Sequence, residues 1–468
     1  MPAARRDAPS VTPQLPAGRH ASLRHFGRAA RGATLRPTPA SHSDRMRRSL
    51  ARLLNLHAHE LRPAAAGFSM FFLLFAGYFM LRPVRETMGI AGGVDNLQWL
   101  FSATFVATLA ATPLFGWIAS KAPRRRILYW VYGFFACNLA LFAVGLLRAP
   151  DDVWLARGFY VWLSVFNMIA ISLAWSVLVD LFPASEAKRL FAPIAAGASA
   201  GGLVGPLLGV ALVGRIGHGG LLLLSALLLV GAGIAAWRVQ RWRDAHPSAA
   251  GAERGRGRPL GGNPFAGAAE VLRSPYMLGI ALFVVLLASA NTFLYFEQAR
   301  LVAITFPDKA AQTRVFGLID ATVQALAILS QLFVTGRVAQ RLGIGVLLVA
   351  VPLAVAAGFV WLAMAPGFAV FVAVMIVRRA GEYGVMRPGR EMLWTAVPDS
   401  AKYKAKNFTD SVVYRAGDVA SGWLKTGVDA LAAMPAVAML VGAGVCLAWA
   451  WNGWWLARAH ARADTREA

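Results

Sequence analysis

The 468 residues are 57% hydrophobic and only 15% charged, below the ~25% of soluble domains, so the chain reads as a polytopic membrane protein. Its two cysteines, Cys137 and Cys446, lie in apolar runs, which excludes a disulfide framework or a thiolate metal site; neither metal nor cofactor is expected. The 47 Lys and Arg against 23 Asp and Glu give a formal charge of +24. Because the basic residues crowd into the gaps between apolar runs and into the tails, the charge marks topology and not nucleic-acid binding.

Residues 1–62 form a basic segment, expected to be disordered and cytoplasmic. Its first 45 residues are rich in Arg, Ala and Pro, in the manner of a transit peptide or a nucleic-acid-binding arm. A blander reading stands beside these: Arg outnumbers Lys 40 to 7, as GC-rich coding gives, and Met46-Arg47-Arg48-Ser49-Leu50 offers a second start ahead of the first span.

A bilayer core needs about 20 apolar residues per helix, since lipid offers backbone groups no partner. About twelve such runs follow: 64–82, 97–118, 127–147, 153–179, 191–213 and 219–237, then 276–297, 315–336, 344–363, 367–393, 409–430 and 434–456. The fold class is therefore all-α membrane, two six-helix bundles over 63–237 and 273–457, with a cytoplasmic linker at 238–272 and a tail at 458–468. Glu253-Arg254-Gly255-Arg256-Gly257-Arg258-Pro259 in the linker is too polar to span and too flexible to pack.

Alternate gaps carry Lys121 with Arg124 to Arg126, Lys188 with Arg189, the linker, Arg337 with Arg341, the lysines 402, 404 and 406, and Arg458 with Arg462. The positive-inside rule makes those gaps cytoplasmic and puts both termini inside. The lipid bilayer is thus one partner, and a monomer suffices for function.

Span 1 continues into Leu81-Arg82-Pro83-Val84-Arg85-Glu86-Thr87, and span 10 carries Arg387-Pro388-Gly389-Arg390-Glu391. The string Arg-Pro-x-Arg-Glu thus occurs at two places that an internal duplication does not relate. Each Arg pair lies within about 60° on one helix face, a two-pronged cationic edge. Burying each Arg costs at least ~2.5–3.5 kcal/mol, so such groups face a cavity or a fixed counter-charge. The planar fork of Arg grips phosphate or carboxylate in two places. Arg82, Arg85, Glu86, Arg387, Arg390 and Glu391 are accordingly the candidate substrate-binding residues; the alternative is wet helix ends paired for structural reasons.

Span 11 adds Arg415, Asp418, Lys425 and Asp429 within about 80° of one another, a pattern expected to form interhelix salt bridges. Asp320 in span 8, in a stripe with Gln324 and Gln331, is the best-placed acid for proton coupling, although a lone acid bonded to neighbouring amides is the commoner outcome. Asn291, Tyr295 and Gln298 make a weaker stripe in span 7. The candidate coupling or gating residues are Asp320, Glu382, Arg415, Asp418 and Lys425. In span 5, Gly197, Gly201, Gly202, Gly205 and Gly209 suit either close helix packing or sliding.

Spacings of 220 (Gly116 to Gly336), 215 (Pro183 to Pro398) and 217 (Phe191 to Phe408, Tyr78 to Tyr295) read as one six-helix unit used twice. The loop strings Gly116-Trp-Ile-Ala-Ser-Lys-Ala-Pro-Arg-Arg125 and Gly336-Arg-Val-Ala-Gln-Arg-Leu-Gly343 resemble the short loop signature of the major facilitator superfamily. Ser120 and Gln340 stand where its usual acid would be, so the charge pairing of that acid is missing. The resemblance implies a site near the midplane between rocking halves.

Leu81 to Thr87, Arg387 to Pro398, Lys402 to Asp410 and Arg415-Ala-Gly-Asp418 resemble a narrower group, the ATP/ADP translocase family of plastids and intracellular bacterial parasites. The likeness covers about 60 residues. In that family a Lys of each basic-acidic dipeptide is implicated in nucleotide recognition; Arg85 and Arg390 take those places. Asp418 stands where the family tends to have Lys, which argues against ATP itself. The resemblance implies a secondary transporter, an antiporter in the family pattern, moving a small anionic metabolite such as a nucleotide or other phosphorylated compound across a bacterial inner membrane by alternating access. No enzymatic activity is expected, and the absence of a Gly-x-x-x-x-Gly-Lys-Ser/Thr loop excludes an ATP-driven pump for this chain alone. Two other readings stay open: a proton-coupled exporter of drug-like or amphiphilic compounds using Asp320, Glu297 or Glu382, and a non-transporting membrane scaffold or sensor.

Overall fold

The computed structural model describes residues 55–121, 126–246 and 265–467, apart from positions 58, 266, 432 and 433. The basic segment up to residue 54, the centre of the linker and the loop residues 122–125 of the first facilitator-like string lie outside the described residues. All regular structure among the described residues is helical. In the first half run α1 (Leu61–Ala91), α2 (Leu97–Lys121), α3 (Ile127–Arg148), α4 (Val153–Leu181) and α5 (Ala184–Ala245). After the short α6 (Ala268–Arg273) come α7 (Pro275–Thr305), α8 (Lys309–Ser330), α9 (Gly336–Met364), α10 (Phe368–Gly381), α11 (Arg387–Leu393), α12 (Asp399–Phe408), α13 (Tyr414–Leu431) and α14 (Pro435–Glu467).

Among the described residues, eight helical stretches are long and apolar enough to cross a membrane. Two of them are too long to do so once. At 1.5 Å per residue the 62 residues of α5 would reach about 93 Å, three times a bilayer core, and the helix is broken at Gly217, whose φ of 64° lies in the left-handed region that favours glycine. Gly343, with φ 74°, breaks α9 in the same way. The two limbs of α5 run past α1 in opposite senses. Positions 197, 201 and 205 climb alongside 68, 72 and 76, whereas 225 lies at Gly77 and 231 lower, at Leu73.

Short turns are held by side-chain caps. Asp152 accepts from Leu155 N–H, Asp308 from Ala311 N–H and Ser274 from Met277 N–H, with Pro275 at the first turn of α7 where its missing N–H costs nothing. Helices α1 and α7 are both 31 residues long and displaced by 214 residues at each end, as a duplicated unit requires. The buried apolar side chains form one cluster drawn from 56–239, a second from 271–456, and a small third in which Leu97, Leu100 and Tyr160 meet Phe296 and Ala299.

Several bounds differ from the sequence reading. Span 1 continues to Ala91, so Arg82, Arg85 and Glu86 lie inside a continuous helix and not at a wet end; Thr87 Oγ1 donates to the Pro83 carbonyl one turn back. Spans 8, 10 and 11 each contain a π turn, at Gln331–Thr335, Glu382–Met386 and Thr409–Val413. Helix α5 runs on to Ala245, well into the expected linker, because Tyr129 OH donates to Gln240, Trp242 stacks on His59 and His246, and Arg243 pairs with Glu186. The far end of the linker is helical as α6, with Val271 buried. The tail expected from 458 continues α14 to Glu467.

Candidate functional site

The two halves of the chain meet where the last turns of α1, the first turns of α2 and the facing turns of α7, α8 and α13 converge. Thr87 and Thr313 hydroxyls lie 2.7 Å apart, and Thr313 also meets His218 Nε2 at 2.9 Å. Lys309 Nζ donates to Pro150 O and Asp151 at 2.7 Å, and Trp423 Nε1 donates to Ser102 at 3.2 Å. The backbones come close here too: a Cβ on Gly317 would press on Val210, and one on Gly202 on Gln324.

Below these contacts the seam is lined with arginine. Arg85, on α1, stacks its guanidinium 3.8 Å above the Tyr160 ring, donates to Tyr160 O at 3.3 Å and pairs with Glu86 at 3.1 Å. It lines a small cavity with Phe101, Thr104, Tyr160, Arg415 and Asp418, so α1, α2, α4 and α13 all contribute a wall. The hydroxyl of Thr104 is buried there with no hydrogen-bond partner among the described residues. One turn lower, Arg82 lies 3.8 Å from Asp320 of α8, whose other oxygen is 2.5 Å from Arg379 of α10. Beside it Arg378 pairs with Glu382 at 3.0 Å.

The predicted residues therefore divide into two groups. Arg82, Arg85, Glu86, Asp320, Glu382, Arg415 and Asp418 come together along the seam. Arg387, Arg390 and Glu391 do not: Arg390 is buried 3.5 Å from Asp410, Glu391 pairs with Lys406, and Arg387 is exposed over the Tyr383 ring. Phe368, which opens α10, packs on Phe306 at the end where Thr87 meets Thr313. Helix α10 therefore runs away from that end, and eleven residues separate Arg379 from Arg390. Adding the rise from Arg82 to Arg85, Arg390 stands roughly 20 Å in depth from Arg85.

Two expectations are corrected. Asp320 is not a lone acid bonded to amides; it is clamped between two guanidiniums, and Gln331 donates instead to Tyr383 O at 3.1 Å. The charges of span 11 pair within their own helix, Arg415 with Asp418 at 3.6 Å and Lys425 with Asp429, because positions three and four apart on one face are nearer than any neighbouring helix. The glycines of span 5 are packing residues, since a Cβ on Gly197, Gly201 or Gly205 would collide with the carbonyls of Phe68, Phe72 or Ala76; Gly202 alone faces the other half. Arg378 and Arg379 were not singled out from the sequence. The signal was present, two charges directly after the apolar run Val370–Val377, deeper than the Arg-Pro-x-Arg-Glu string that drew attention from them.

An all-α polytopic fold with a charged seam between its halves defines a class, that of membrane transport proteins and not of enzymes. Residues 65–402 match the family model of the Major Facilitator Superfamily, and the chain belongs to that superfamily. It is similar to "ADP,ATP carrier protein 1" of Chlamydia muridarum (strain MoPn / Nigg), 23% identical over 339 residues that cover 62% of this chain and 63% of that one. The protein of the same name from Chlamydia trachomatis serovar D is 22% identical over the same length. The chain thus spans about 63% of the length of these curated relatives. Among solved structures it is similar to a bacterial homologue of the iron transporter ferroportin in its inward-facing state, with a TM-score of 0.60 and 14% identity over 83% of this chain and 99% of that one. At that identity the likeness is one of fold alone.

Proposed function

We propose that the protein is a secondary transporter that moves an anionic metabolite, a nucleotide or other phosphorylated compound being the favoured class, across a bacterial inner membrane by alternating access. The observation that carries this reading is the row of guanidiniums on the seam, Arg82 and Arg85 half-buried and Arg378 and Arg379 buried, in the region between the halves where a carrier of this superfamily would hold its cargo. The likeness to proteins named as ADP,ATP carriers supports the substrate class. Breaks at Gly217 and Gly343, which divide two of the eight long stretches, support a reading of twelve spans in two six-helix bundles once α10–α11 and α12–α13 are added, and the Lys- and Arg-rich loops support cytoplasmic termini. In that orientation the Thr87–Thr313 and Lys309–Asp151 contacts lie at the outer end and hold it closed.

Arg82, Arg85 and Glu86 then form the inner seat, and Arg387, Arg390 and Glu391 a second station nearer the cytoplasm. Arg390 Nε–H, buried and without an acceptor among the described residues, supports that role. Arg415, Asp418, Lys425 and Glu382 act in gating. The proton-coupled exporter reading is the weaker one because Asp320, its best acid, is already engaged by Arg82 and Arg379. Counterflow in proteoliposomes tests the proposal. Nucleotides, sugar phosphates or dicarboxylates inside should drive uptake of the labelled anion, and an amphiphilic cation should not. Counterflow with the cation alone would favour the exporter, and none with any compound would favour the scaffold.

A further inference from the structure

The ion pairs along the seam do not balance. Arg85 has Glu86, Arg378 has Glu382 and Arg415 has Asp418, but Arg82 and Arg379 share Asp320. Glu297 pairs with Arg300, and Lys425 with Asp429, and so add nothing to the count. Among the described residues these paired groups are five guanidiniums and four carboxylates, one positive charge more than they neutralise.

The hydrogen bonds agree with the charges. Arg378 and Arg379 are only 4% and 6% exposed, and the Nε–H of each is buried with no acceptor among the described residues. An unmet buried donor is costly, and more so on a charged group. Such an arrangement persists where something arrives to satisfy it. Arg82, whose side chain is 23% exposed, is the open edge of the cluster, and its distance to Asp320 is the longest of these ion pairs.

We propose that Arg82 and Arg379 form the anion seat and that Asp320 is a built-in stand-in, a carboxylate that occupies the seat until the substrate's own anionic group takes its place on Arg82. The inference rests on the anion-transport reading above. A single carboxylate or phosphate oxygen pair carries the one negative charge the seam lacks and offers an acceptor to the unmet Nε–H of Arg379. Asp320 and Arg379 belong to the same half, so the tighter pair stays together and the longer one, to Arg82 of the other half, is the one that yields. Substrate then replaces an internal bridge between the halves with a bridge of its own. An empty carrier stays tied at Asp320, which favours exchange over net flow.

Inorganic phosphate is the probe, and its binding to the purified full-length protein in neutral detergent is the measurement. Removing the competitor in Asp320→Asn should tighten phosphate binding about fivefold or more, the equivalent of ~1 kcal/mol. Asp320→Glu keeps the charge and reaches Arg82 more fully, so it should weaken binding several-fold, which keeps the test informative if the Asn variant fails to fold. Arg379→Gln should abolish binding. Phosphatidylglycerol should not compete; competition would assign the seat to a lipid headgroup and overturn the proposal. Phosphate binding that is indifferent to Asp320 and Arg379 would overturn the seat alone. A wild-type protein that binds neither phosphate nor any nucleotide, sugar phosphate or dicarboxylate would overturn the anion reading and the seat with it.

Discussion

Arg85 is the residue whose surroundings say most about its work. Its guanidinium is held over Tyr160, with Tyr160 O and Glu86 as its partners, at the wall of the cavity shared with Arg415 and Asp418, so it is positioned before any ligand enters. Losing one partner of a buried charged contact costs ~2–5 kcal/mol, so Arg85→Gln should lower exchange at least ~30-fold while leaving the protein folded and inserted. Arg85→Lys should recover only part, since an ammonium lacks the fork. Initial rates in proteoliposomes check both, and full activity in Arg85→Gln would remove the residue from the site. The sequence made Arg85, Arg82 and Asp320 legible as charges that did not belong in apolar runs. It left their partners illegible: helical periodicity assigns a residue to a face, whereas Asp320 meets Arg82 from 238 positions away in the chain, and only packing decides which faces meet.

At the scale of the helices, α1 and the first limb of α5 are built for backbone contact. Gly201 touches the Phe72 carbonyl region so closely that a methyl group has no room, whereas Gly133 on α3 faces open space. Gly201→Ala should therefore destabilise by ~1–3 kcal/mol through overpacking, and Gly133→Ala should be neutral or stabilising by up to ~1 kcal/mol through helix propensity. Thermal unfolding in detergent separates the two; equal melting temperatures would mean that α1 and α5 are not so close. The breaks at Gly217 and Gly343 were legible, since both fall in gaps between apolar runs and glycine alone takes φ above +60° without strain. The π turns were not, because an extra residue in a helical turn leaves no mark in composition.

At the scale of the molecule, the halves are latched at one end by Thr87, Thr313 and His218. If the seam opens there in each cycle, a crosslink across it must stop transport. Thr87→Cys with Thr313→Cys, in a background lacking Cys137 and Cys446, should lose exchange on oxidation and regain it with reductant; undiminished exchange in the crosslinked protein would refute opening at that end. Topology has its own check: reporters fused after Arg148 and after Lys406 should fall on opposite sides of the membrane. The class of fold was readable from charge and hydropathy alone, but the depth of each charge was not. Arg85 and Arg390, which the repeated string placed as a matched pair, stand on either side of Asp320.

The account comes down to anions held by these arginines, and counterflow with Arg85→Gln and Arg390→Gln combined tests it most directly. Wild-type protein should exchange a phosphorylated or carboxylate anion, and the double variant, inserted in equal amount, should not. Exchange that persists in the double variant at the wild-type rate would contradict the account and return the transport role to the acids.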